Sequence, residues 1–128
     1  MSRQISQTDV RRIALSLPGA EEGAPPRFSI LVANKGKSRG FVWDWMERVH
    51  PKQPKLANER VIAARVRNVS ARDMMIAADP RVFFTEPHYN GYPAVLVRLD
   101  AVTMSQLEII VTEAWRCLAP KELTTLVE

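Results

Sequence analysis

The chain has a single cysteine, Cys117. One thiol excludes an internal disulfide, suits a reducing compartment, and cannot by itself build a zinc site. Histidine is almost as scarce: His50 and His88 lie far apart in the sequence and neither has a metal-ligand spacing. No metal and no cofactor are therefore expected. Apolar runs are short, and none approaches the roughly 20 residues that a membrane-spanning helix needs. Met1–Gln7 is polar with no apolar segment behind it, so no secretory signal is expected and the cytoplasm is the expected location.

Catalytic fingerprints are missing too. Gly36-Lys37-Ser38 is the only fragment of a phosphate loop, and a Walker loop would need glycine at position 31, where Leu31 stands, followed by a helix. There is no nucleophile elbow and no dinucleotide fingerprint. Glu21-Glu22 is a carboxylate pair in a Gly/Pro-rich stretch, where solvation is the commoner fate than acid–base work. His88 could act as a base, but no orienting acid or nucleophile accompanies it, and shaping a turn is the simpler role. Cys117 near a helix C-terminus lacks the electropositive setting of a reactive thiol. A non-enzymatic role is expected.

What is present is an ordinary globular composition, 46% hydrophobic and 25% charged over 128 residues, the size of one domain. Charge is distributed unevenly. Arg27 through Arg72 carries eleven Lys/Arg against Asp44, Glu47 and Glu59, a net +8, while the rest of the chain is −4. Such asymmetry can attract polyanions. Alternatively it marks solvated loops and strand edges guarded by lysine.

Periodicity orders the chain. Val10, Ile13, Ala14 and Leu17 make a helical stripe, with Ser6 or Thr8 as cap and Pro18-Gly19 as stop. Ala20–Pro26 reads as a loop. Arg27–Ala33 alternates, with Phe28, Ile30 and Val32 on one face, and Asn34-Lys35-Gly36-Lys37 is a hairpin turn. Arg39–Met46 returns with Phe41, Trp43 and Trp45 expected on one face, packed as core rather than serving as a ligand platform. Glu47–Arg60 reads mainly as an exposed loop, and Arg60–Val69 as a strand with Arg65 and Arg67 outward.

Ser70-Ala71-Arg72-Asp73 opens a short helix expected to pack through Met74, Ala77 and Ala78. Arg81–Glu86 and Ala94–Leu99 are strands flanking the Asn90-Gly91 turn. Thr103-Met104-Ser105-Gln106 caps a long last helix whose stripe is Met104, Leu107, Ile110, Val111, Ala114 and Leu118. The fold expected is α+β: one antiparallel sheet with the first and last helices on one face.

Three segments, Val10–Glu22, Phe83–Leu99 and Leu107–Leu123, resemble the MmcQ/YjbR family. The most specific parts are Leu15-Ser16-Leu17-Pro18-Gly19, the turn His88-Tyr89-Asn90-Gly91-Tyr92-Pro93, and Glu113-Ala114-Trp115 with Ala119-Pro120-Lys121. The likeness covers roughly Ile5 to Leu123 and is weakest over Asn34–Ala57. It implies one domain over 1–128, with a core of about 5–123 and a tail at 124–128, in a CyaY-like (frataxin-like) sandwich. Family members are often labelled DNA-binding, by the likeness of wing-like hairpins. The resemblance supplies no catalytic residues.

Two functions follow. One is non-specific DNA binding, with Lys35, Lys37, Arg39, Arg48, Lys52, Lys55, Arg65 and Arg67 neutralising phosphates. The other is a non-catalytic module for a small ligand or protein partner, using His88, Tyr89, Asn90 and Tyr92.

Overall fold

The computed structural model describes residues 4–47, 52 and 54–127. Its order is α1 (Gln7–Leu15), β1 (Ala20–Glu22), β2 (Ser29–Asn34), β3 (Lys37–Glu47), β4 (Leu56–Arg65), α2 (Val69–Ala78), β5 (Phe83–Phe84), a 3-10 turn (Pro87–Tyr89), β6 (Ala94–Arg98), α3 (Met104–Leu118) and α4 (Lys121–Thr124). Six strands form one antiparallel sheet in the order β1-β2-β3-β4-β6-β5.

The expected α+β layering is what forms. α1 starts at Ser6, whose N–H donates to the buried Asp9 carboxylate at 2.9 Å. α3 starts at Thr103, whose hydroxyl accepts from the Gln106 N–H at 3.1 Å while Gln106 Oε1 accepts from the Thr103 N–H at 2.9 Å. Each cap satisfies backbone donors that a helix start leaves open. The stripes of α1 and α3 bury Val10, Ile13, Ala14, Leu107, Ile110, Val111 and Ala114 against Ile30, Val32, Ile62, Ala64, Val95 and Val97 on one face of the sheet. Burying an aliphatic side chain of this size stabilises a fold by roughly 1.5–3 kcal/mol.

Several local expectations change. Ala20–Glu22 is no loop but a short edge strand on β2, its two glutamates exposed. β4 begins at Leu56, inside the stretch read as loop, because Leu56 and Ala57 pair with Glu47 and Met46. Asn68, not Ser70, caps α2, its side chain accepting from the Ala71 N–H at 2.7 Å. Met74 does not pack: it is 73% exposed, and the residue α2 buries is Arg72.

The alternation along β3 also breaks. Ile30 pairs with Val42 but Leu31 pairs with Gly40, leaving Phe41 as the extra residue of a β-bulge. Phe41 and Val42 therefore both enter the helix-side core. Trp43 and Trp45 turn to the opposite face, half-buried against Val61, Ala63 and Leu96.

Candidate functional site

The hairpin between β2 and β3 closes with two residues, Lys35 (φ 54°) and Gly36 (φ 81°), between the paired Asn34 and Lys37. Two consecutive positive φ values give the turn whose twist suits a tight hairpin. A lysine takes the first of these positions, which holds its charge at the extreme tip. Asn34 Nδ2 instead donates to the Leu118 carbonyl at 2.9 Å, fastening the hairpin to the end of α3. Lys35 and Lys121 line a common depression of about 550 Å³ there, together with Glu122.

β3 and β4 run antiparallel with Val42 opposite Ala64. The hairpin tip and the C-terminal end of β4 thus share one end of the sheet. That end gathers Lys35, Lys37, Arg39, Arg65 and Arg67. Lys52 and Lys55 lie at the other end, on the β3–β4 connection. β3 is 11 residues long, and at about 3.4 Å per residue it separates the two groups by roughly 30–35 Å. Arg48 and His50 lie outside the described residues.

Pairing distinguishes the cations further. Arg11, Arg27, Arg60, Arg72 and Arg116 each meet a carboxylate, on Glu22, Asp44, Asp100, Asp73 and Glu113. The Asp44 partnership raises the Arg27 pKa above its ordinary value. Among the described residues, the side chains of Lys35, Lys37, Arg39, Lys55, Arg67 and Lys121 make no ion pair or hydrogen bond, and of these only Lys55 lies away from the hairpin end. Arg65 has no acid either; its guanidinium stands 5.7 Å from the centre of the Tyr92 ring.

The turn around His88–Tyr92 is built differently. Asn90 (φ −60°, ψ 119°) and Gly91 (φ 84°) are the central residues of a type II turn closed by the Tyr92 N–H donating to the Tyr89 carbonyl at 2.9 Å. The buried Arg72 reaches it from α2, donating through Nη1 to the carbonyls of Tyr89 at 2.8 Å and Tyr92 at 3.4 Å. The Tyr89 hydroxyl accepts from Trp43 Nε1 at 3.2 Å. The Tyr92 ring lies edge-on to Trp43 at 6.3 Å and 6.0 Å from Tyr89. The four residues singled out in the sequence share this turn but do not line one cleft. His88 and Tyr89 line a shallow cleft of about 330 Å³ with Arg27, Trp45, Met46, Lys55 and Glu86, while Asn90 and Tyr92 lie outside it.

Burial raises the Tyr89 pKa above its ordinary value of 10, with the Trp43 bond opposing. The folded chain thus holds this proton more tightly than the unfolded chain. Tyr89 contributes stability that is fully present below about pH 10 and is lost as pH rises through the higher folded value. Urea unfolding at pH 9 and pH 11 should show a fall in stability, and the fall should be shallower in Tyr89→Phe.

Sequence reading missed a third feature. A groove of about 560 Å³ opens between α2, α3 and the end of β4. The one available signal was Ile109, an apolar residue off the α3 stripe, which stays 64% exposed. Among the described residues no group of three His, Cys, Asp or Glu could hold a metal ion, and no helix is long and apolar enough to cross a membrane.

No family model matches the sequence. Mb2600 of Mycobacterium bovis and Rv2570 of Mycobacterium tuberculosis, both described as uncharacterised, are each 36% identical to this chain over 118 residues, 90% of this chain and 89% of theirs. Among solved structures, the Deinococcus radiodurans protein DR2400, a DUF419 domain, superimposes with a TM-score of 0.67 over 98% of this chain and 88% of its own, at 18% identity. At that identity the likeness is one of fold. With a third of its residues shared along nearly the whole length, this chain belongs to the family of the mycobacterial proteins Rv2570 and Mb2600.

Proposed function

We propose that this protein binds the phosphate backbone of DNA, without reading sequence and without catalysis, through the basic end of its sheet. The observation that carries the reading is the concentration there of cations whose side chains form no ion pair, Lys35, Lys37, Arg39, Arg67 and Lys121, while most described arginines elsewhere pair with a carboxylate. Unpaired lysine and arginine side chains exchange condensed counterions for phosphates, which drives non-specific binding. The tight hairpin, fastened to the end of α3, holds three of them on a rigid element. The resemblance to the MmcQ/YjbR family, with its wing-like hairpins and frequent DNA-binding label, supports the same reading.

Fluorescence anisotropy with a short duplex tests it. Lys37→Glu combined with Arg39→Glu should weaken binding about tenfold or more, since two phosphate contacts become repulsive. Lys55→Glu should change it less than about twofold at 0.1 M salt, where the screening length is about 10 Å. Equal losses from both ends would remove the basis for the reading.

A second reading rests on the cleft beside His88 and Tyr89, whose mixed lining of aromatic and charged groups suits a small polar ligand. A metabolite that raises the melting temperature of the native chain, but not of His88→Ala, would favour it over DNA.

A further inference from the structure

We propose that the groove between α2 and α3 binds a small organic anion with an apolar body, its carboxylate or phosphate head held by Arg65 and Arg67. The inference stands apart from the DNA reading, which rests mainly on the hairpin. At about 560 Å³ the groove has the size of a ligand site rather than of a packing defect. Val66, Met75, Ile109 and Ile110 give it an apolar lining. Ile109 remains 64% exposed, on a helix whose regular stripe is otherwise buried. An apolar body laid along this wall would remove that surface from water.

The charges select the other half of the ligand. Among the described residues the only acid lining the groove is Glu113, and Arg116 one helical turn away pairs with it at 3.5 Å. Arg116 is further occupied, donating to the Val127 carbonyl at 3.0 Å. Arg65 and Arg67 are left with no carboxylate, and the buried Nε–H of Arg65 has no acceptor at all. A buried guanidinium donor without a partner is costly, and a planar anionic head is the group that guanidinium forks match best. Cys117 sits on the same wall of α3, one to two turns after Ile110 and Glu113. Partial burial raises its thiol pKa, while the charges of Arg65 and Arg67, which line the same groove, oppose the rise. An inorganic anion would leave the apolar lining unused, and an uncharged chain would leave the arginines unmatched.

Cys117 is exposed and is the chain's single thiol, so it reports on the groove without engineering. Its alkylation by the neutral reagent iodoacetamide would be followed by mass spectrometry, with decanoate, decyl phosphate, decanol or acetate present below any micelle concentration. Decanoate or decyl phosphate should slow the reaction several-fold and raise the melting temperature; whichever does so at lower concentration identifies the preferred head group. Decanol and acetate should do neither.

Arg67→Ala and Ile109→Ser alter exposed positions and should leave the fold intact. Each should raise the concentration needed for protection about tenfold, the scale of one charge-assisted bond or one buried aliphatic contact. Protection is read as the ratio of rates with and without probe, because losing Arg67 also shifts the thiol. The proposal is overturned by no protection from either anion, by equal protection from decanol, or by protection that survives both substitutions unchanged.

Discussion

Trp115→Ala should destabilise the protein by about 3–5 kcal/mol, the cost typical of emptying a large buried aromatic site. Trp115 is fully buried on α3, at the centre of the helix-side core. Its ring is also a tether: Nε1 donates to the Pro18 carbonyl at 2.9 Å, linking α3 to the chain just past α1. Alanine would leave a void between two helices and a carbonyl without its donor. Domains of this size are stable by about 5–15 kcal/mol in total, so the variant should be marginal at 37 °C. Trp115→Phe keeps most of the apolar volume and loses the donor with the outer part of the indole ring, so it should cost less, about 1–3 kcal/mol. Urea titrations should show midpoints ordered wild type, Phe, Ala with similar slopes. An alanine variant within 1 kcal/mol of wild type would contradict this account of the core.

The second large effect concerns Arg72, a charged side chain that is 4% exposed. Its guanidinium serves the Tyr89 and Tyr92 carbonyls, and Nε meets Asp73 at 3.1 Å. Both carbonyls also accept backbone N–H groups, from Tyr92 and Ala94, so losing the arginine weakens the turn without stripping it of every bond. Arg72→Ala should cost about 2–3 kcal/mol, the range for bonds from a charged donor. Arg72→Lys should recover little of it, because an ammonium lacks the fork that spans the turn. The loss should be local first. Amide exchange of Tyr89–Ala94 should accelerate more than that of α1, and Trp43 fluorescence should shift as its Tyr89 partner loosens. Uniform acceleration across the chain would show that Arg72 supports the whole core rather than this turn.

Arg72 also shows where sequence reading stops. Helical spacing nominated Met74 for burial, but α2 lies at the rim of the core, and the group it sends inward is the arginine that the type II turn requires. Nothing in the local sequence announces a partner 17 to 20 residues away. The stripes of α1 and α3 were legible because amphipathic periodicity and capping boxes are local signals. The β3 pattern misled because one bulge residue, Phe41, reverses which face every later residue takes. Trp43 and Trp45 were therefore assigned to the core they turn away from.

The charge run from Arg27 to Arg72 was visible in composition, but not its division. Only the path of β3 separates Lys37 and Arg39 from Lys55, and only the ion pairs show that Arg27, Arg60 and Arg72 are already engaged. Ile109 was readable only as an apolar residue out of register; the groove it lines requires α2 and α3 to meet.

Titrating duplex DNA across a range of salt concentrations tests the central claim most directly, because counterion release makes the slope of log affinity against log salt roughly −0.9 per phosphate engaged. With the hairpin cations, Arg67 and Lys121 in contact, a slope of about −3 to −5 is expected, reduced by about 2 in Lys37→Glu with Arg39→Glu. An affinity independent of salt, or no binding even at about 20 mM, would show that the unpaired cations of the hairpin end do not engage a phosphate backbone.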